Sequence, residues 1–107
     1  MSDSIKAKVL NLAELIAYQE GSVVSRTIIK KDTGTVTVFA FDQDQSLSEH
    51  TAPFDAMVHI IEGQADVSIG QEHFNVGAGE IIILPANQPH SVGAKEKFKM
   101  ALVMIRS

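Results

Sequence analysis

Hydrophobic and polar positions change period early in the chain. Within residues 7 to 16 the pattern predicts a short strand followed by a helical turn. Asn11 caps that turn, Glu14 stands three residues on as in a capping box, and Leu12, Leu15 and Ile16 share one apolar face. Gly21 is the expected stop, and the segment is expected to lie as an arm over a sheet edge. From Val23 onward the period is that of strands. Val23 to Lys30, Thr35 to Phe41, and a strand carrying Leu47, Glu49 and His50 come first; Met57 to Ile61, Ala65 to Ile69, Glu72 to Phe74, Ile81 to Leu84 and Phe98 to Ile105 follow. Polar turns separate them: Lys30 to Gly34, Asp42 to Gln45, and a two-residue Gly70-Gln71 loop that fits a type II′ hairpin. Asn75 to Gly79 reads as a loop. Eight or nine short strands with frequent turns predict an all-β protein, an antiparallel sandwich or small barrel.

Length and composition narrow the reading further. At 107 residues, 45% of them apolar, the chain is expected to form one globular domain over 1–107. Residues 1–34 supply the arm and first strands, and residues 35–105 the barrel. The net charge is −4 and the nine Lys and Arg are scattered, so no basic stripe suits nucleic acid. Without cysteine, disulfides and thiolate metal sites are excluded. Met1 to Lys6 lack the apolar core of a signal peptide, and no apolar run approaches a membrane span, so a cytoplasmic protein is expected.

Candidate chemistry concentrates between His50 and His90. One stretch runs from His50 through Pro53, Phe54 and Asp55 to a strand closed by Gly63; the other runs from Gly79 through Pro85 and Asn87 to His90. In these residues the chain resembles the cupin superfamily, in particular its small single-domain members. Of the first cupin motif, G-x5-H-x-H-x3-E-x6-G, His50 and Gly63 match, whereas Asp44, Ala52 and Ala56 stand where glycine, histidine and glutamate are expected. Of the second, G-x5-P-x-G-x2-H-x3-N, Gly79, Pro85 and His90 match and Asn87 and Ala94 depart. The resemblance implies a double-stranded β-helix, or jelly-roll barrel. It also implies a divalent metal held by imidazoles and a carboxylate, of which this chain keeps only His50 and His90.

Parity agrees with an inward-facing site. His50, Ala52, Ala56, Val58 and Ile60 share one parity, so a continuous strand would send all of them into the barrel and His59 outward. His73 adjoins a hairpin tip and is expected to be exposed. Two neutral imidazoles, completed by water, can hold Zn, Ni, Fe, Mn or Cu. Asp55 joins them as a further ligand only if a bulge at Pro53 turns it inward. The same pair can serve as general acid and base, or simply be hydrogen-bonded in the barrel mouth. Gly77 and Gly79 lack the Lys-Ser/Thr of a phosphate loop.

The two alanines leave space that an apolar pocket would occupy. Its expected lining is Ala52, Phe54, Ala56, Val58, Ile60, Met100 and Met104, unless Phe54 fills the gap. A small organic molecule bearing a carboxylate, carbonyl or hydroxyl suits such a pocket. Phe98 to Ile105 is apolar on both faces and needs cover on both, which predicts a homodimer meeting through outward Met57, His59 and Ile61. The expected function is small-molecule binding with a reduced two-histidine metal site, the reaction left open. The alternatives are a metal-free binding or sensing module and a structural homodimer with a vestigial site.

Overall fold

The computed structural model describes residues 5–106; the expectation about Met1 to Ser4 lies outside them. After a 3-10 helix at Leu12–Leu15 come nine strands: β1 Val23–Lys31, β2 Gly34–Phe41, β3 Ser46–His50, β4 Ala56–Glu62, β5 Gln64–Ile69, β6 Glu72–Gly77, β7 Ile81–Leu84, β8 His90–Gly93 and β9 Phe98–Ile105. They form two antiparallel sheets, one ordered β1-β2-β9-β4-β7 and the other β3-β8-β5-β6. This is the expected jelly-roll barrel.

Alternation within strands builds the core. Along β2, Phe39 and Phe41 face inward, and Val38 and Ala40 face out beneath the N-terminal arm. Val58, Ile60, Val67, Met100, Phe41 and Phe98 are buried between the sheets, and the Phe41 and Phe98 rings stack with centroids 4.4 Å apart. At the β4–β5 turn, Gly63 takes φ +78°, and a Cβ there would lie 2.5 Å from the Lys97 carbonyl oxygen. Only glycine accommodates both that conformation and that close approach.

The arm is held by its own anchors. Asn11 caps the helix as expected, its side chain accepting from the Ala13 N–H at 3.0 Å. Leu12, Leu15, Ile16 and Tyr18 pack on Val38, Ala40 and Ala101. The Tyr18 hydroxyl donates to Glu62 Oε2 at 2.6 Å, and Lys99 Nζ donates to the Ala13 carbonyl at 2.6 Å. Burial, then the hydrogen bond and charge of Glu62, hold the Tyr18 phenol well above its ordinary pKa.

Several boundaries differ from the sequence reading. Residues 7–10 form no strand, and the helix ends at Leu15 in an extended Ile16, with Gly21 (φ +68°) instead opening the turn into β1. The expected loop at Asn75 is partly strand, because β6 pairs with β5 as far as Gly77. The sequence reading assigns no strand to β8, whose four residues are too few to show alternation. The Gly70-Gln71 loop fits type II′, with positive φ at Gly70 and not at Gln71.

Candidate functional site

The site grows from the end of β3 and the beginning of β8. His50 and His90 are direct partners in the β3–β8 ladder, and Ile69 of β5 lies on the other side of His90 in the same row. Cross-strand partners project to the same face, and here their Nε2 atoms meet at 3.1 Å with the rings edge to face. His90 is buried, 5% exposed, whereas His50 is open to solvent. Three contacts fix the loops around them: Asn87 N–H donates to the Ala52 carbonyl at 2.7 Å, Ala86 N–H to Asp55 Oδ1 at 2.8 Å, and Gly70 N–H to the Pro89 carbonyl at 2.8 Å.

The other ring nitrogens decide the proton inventory. His50 Nδ1 lies 3.0 Å from the Ser48 carbonyl oxygen, and His90 Nδ1 lies 3.2 Å from that of Gln88. A carbonyl oxygen only accepts, so each Nδ1 carries the proton. Both Nε2 atoms of the neutral rings then present lone pairs to each other. Lone pairs facing at 3.1 Å call for something positive between or beside them, a shared proton or a cation. Burial first, and the neighbouring His50 second, depress the His90 pKa below its ordinary value, against an opposing hydrogen bond to Gln88. His90 is thus held neutral near pH 7, the form that ligates metals.

These features fit part of a metal site. Two nitrogens 3.1 Å apart can both reach one ion at bonds of about 2.0–2.1 Å. Each Nδ1 is already tied to a carbonyl, as the outer nitrogen of a ligating histidine usually is. The protein donor set stops there: among the described residues no group of three or more His, Cys, Asp or Glu could hold an ion.

Asp55 does not complete the pair. Its exposed carboxylate is spent on the Ala86 N–H, so the bulge that would have turned it inward is replaced by a loop that uses it as a brace. The continuous strand from His50 to Ile60 is also corrected. Residues 51–55 leave the ladder, so His50 faces inward from the four-stranded sheet, and Ala56, Val58 and Ile60 do so from the five-stranded one.

The expected pocket lining divides in three. Val58, Ile60 and Met100 belong to the closed core, packed with the Phe41–Phe98 stack, and line no open space. Ala52 and Met104 are half-buried towards the histidines' end of the barrel. Phe54 and Ala56 border a shallow groove that continues outside along Met57, Ile83, Val103 and Ile105. His59 pairs with Ala101 and Ile81 and faces outward, and exposed His73 meets the Ser68 hydroxyl at 2.9 Å. Sequence reasoning passed over Thr35, which is 8% exposed and carries a buried hydroxyl without a hydrogen-bond partner. Its inward parity with Phe39 and Phe41 was the available signal.

Among the described residues no helix is long and apolar enough to cross a membrane. Comparison with known proteins agrees with the fold. A family model described as the cupin domain matches residues 37–106. A conserved protein of unknown function from Streptococcus pyogenes is 37% identical, covering 100% of this chain and 96% of its own, with a TM-score of 0.91. A cupin superfamily protein from Desulfitobacterium hafniense is 24% identical over 95% and 94% of the two chains, at a TM-score of 0.90. The polyketide cyclase RemF from Streptomyces resistomycificus, at 19% identity and a TM-score of 0.71 over 79% and 66%, shares the fold. No curated protein sequence matches the chain. The jelly roll, the matching domain model and the near full-length likeness make this chain a member of the cupin family, whose domain binds small molecules and often metals.

Proposed function

We propose that the protein is a small-molecule-binding cupin in which Nε2 of His50 and Nε2 of His90 hold one divalent transition metal. One observation carries this reading: the two Nε2 atoms converge at 3.1 Å while each Nδ1 lies within hydrogen-bond distance of a backbone carbonyl oxygen, 3.0 Å for His50 and 3.2 Å for His90. Zn, Ni, Fe, Mn and Cu all accept imidazole, and the softer end of that series suits two nitrogens best. With two protein ligands, water and the bound organic molecule complete the shell. The metal when bound supplies Lewis acidity to a ligand oxygen. The protein's own part is to orient both rings, keep His90 neutral and leave His50 reachable.

A second reading rests on the same pair without metal. A proton shared between the two Nε2 atoms satisfies both lone pairs and makes the histidines an acid–base couple in a binding or sensing module. Elemental analysis of untagged protein separates the two. Near one metal per chain in the wild type and none in His50→Ala/His90→Ala is expected. No metal in either sinks the metal reading and leaves the shared proton.

Assembly belongs to the same proposal. Ile29, Val36, Val103, Met57 and Ile83 form one row across the outer face of the five-stranded sheet, and Ile29, Ile81, Ile83 and Ile105 are exposed. A second copy packed face to face would bury that row, giving the homodimer.

A further inference from the structure

Each histidine adjoins a segment of chain that crosses between the sheets. Residues 51–55 run from His50 at the end of β3 to Ala56 of β4, and residues 85–89 run from Leu84 of β7 to His90 at the start of β8. Both crossings span the same two ladder pairs, Ala56–Leu84 in one sheet and His50–His90 in the other. Between those pairs they are tied side by side. Asp55 Oδ1 accepts from the Ala86 N–H at 2.8 Å, and the Ala52 carbonyl accepts from the Asn87 N–H at 2.7 Å. The second tie is backbone to backbone, so Asp55 supplies the side chain. Packing does not set the crossings, because no residue of 51–55 or 85–89 belongs to either hydrophobic core cluster. The ladder is irregular at the same place. From Leu47–Val92 to His50–His90, β3 advances three residues and β8 only two. Such a slip disrupts the ladder locally and bends its strand.

We propose that Asp55 is a positioning residue for the histidine pair: by tying one crossing to the other, its carboxylate holds Nε2 of His50 against Nε2 of His90. The inference rests on the reading of His50 and His90 as one site, and applies whether that site carries a metal or a shared proton. His90 is buried, whereas His50 is exposed and its ring is steadied by the Ser48 carbonyl of its own strand. His50 is therefore the ring that a loosened crossing would displace. A carboxylate accepting from a backbone N–H makes a charge-assisted bond, stronger than a neutral one. An ion bonded to each nitrogen at about 2.0–2.1 Å tolerates little separation of the pair. Asp55 thus acts on the site through the loop, from a position where its carboxylate touches neither ring.

The test compares untagged, chelator-treated wild type with Asp55→Ala, Asp55→Asn and Asp42→Ala. Asp42→Ala is the control, since it removes a bond of the same kind, Asp42 Oδ2 to the Gly21 N–H at 2.6 Å, at the arm. Ni²⁺ is titrated calorimetrically into each. Asp55→Ala should bind it about tenfold more weakly, the lower end for an outer partner of a metal ligand. Asp55→Asn keeps an acceptor oxygen and should bind close to the wild type, as should Asp42→Ala. Without metal, NMR cross-relaxation between the carbon-bound protons of the two rings, whose centroids lie 4.4 Å apart, should be clear in wild type and Asp55→Asn and weaker in Asp55→Ala. If Asp55→Ala folds poorly, Asp55→Ser, one bond too short for the Ala86 N–H, carries the same expectations. Weaker Ni²⁺ binding with an undisturbed ring contact overturns the assignment by marking Asp55 as a ligand, and failure of Asp55→Asn to restore the pair overturns it as well. Equal weakening in Asp42→Ala overturns it by reducing the effect to lost stability. If Ni²⁺ binds and neither measurement responds to Asp55, the metal reading stands and the assignment falls. If no variant binds Ni²⁺, the metal reading falls, and the ring contact alone upholds the assignment by weakening in Asp55→Ala or overturns it by staying unchanged.

Discussion

The two ends of the barrel use the same antiparallel ladders for opposite purposes. At one end Phe41 pairs with Phe98, both rings are fully buried and stacked, and Gly63 lets the backbone of the adjoining turn approach them. At the other, Thr35 pairs with Met104 and His50 with His90, so polar groups and half-buried side chains occupy the matching positions. Burial of large apolar side chains stabilises by about 1.5–3 kcal/mol each. A polar group left unmet costs a comparable amount. The closed end therefore carries the stability that permits an imperfectly satisfied mouth.

The largest test removes an aromatic from the closed end. Phe98→Ala should cost about 3–5 kcal/mol in urea unfolding, a large share of a small domain's total. His50→Ala, at an exposed position, should cost far less. Equal costs would erase the distinction between the ends. A smaller loss is expected for Gly63→Ala, about 1–3 kcal/mol from the left-handed backbone, increased by the contact with Lys97 and read as a lower urea midpoint.

The smallest effect comes from the mouth, as a pH dependence in chelator-treated protein. Folding depresses the His90 pKa, so between that lowered value and about 6.5 the unfolded chain binds the extra proton. Stability should be full above about pH 6.5, decline as pH falls through that window, and level off below the folded-state value. Urea midpoints measured from pH 7.5 downward should show this slope in the wild type and a flatter one in His90→Gln. An unchanged slope would mean that His90 is not the group titrating. The depressed carboxyl of Asp42, which accepts from Gly21 N–H and is also hydrogen-bonded to the Gln43 backbone, acts in a lower window.

How much of the molecule was legible depended on the kind of position. Strand-period alternation from Val23 onward located most strands, because each buries one face. The motif departures are of two kinds. Asp44 and Asn87, which stand where the cupin motifs have glycine, both adopt φ +66°. That is the left-handed region glycine favours, and Asp and Asn are among the non-glycine types that tolerate it best. Ala52 and Ala56, which stand where the motifs have ligands, offer no donor atom in their methyl groups.

His50 and His90 were readable as partners only through the family pattern, since they are forty residues apart in sequence. Their mutual register depends on β8, whose four residues are too few for alternation to show. Parity also misled across residues 51–55. A chain that leaves one sheet and enters another resets which side faces inward.

By itself the sequence determined the all-β class and the exclusion of cysteine chemistry, because these follow from local period and residue type. The tertiary structure alone decided that Asp55 braces a loop, that Val58, Ile60 and Met100 are solid core, and that Thr35 faces inward without a partner. Each of those facts depends on what two sheets place opposite one another, and such distances are set by packing across the barrel and not by neighbours along the chain.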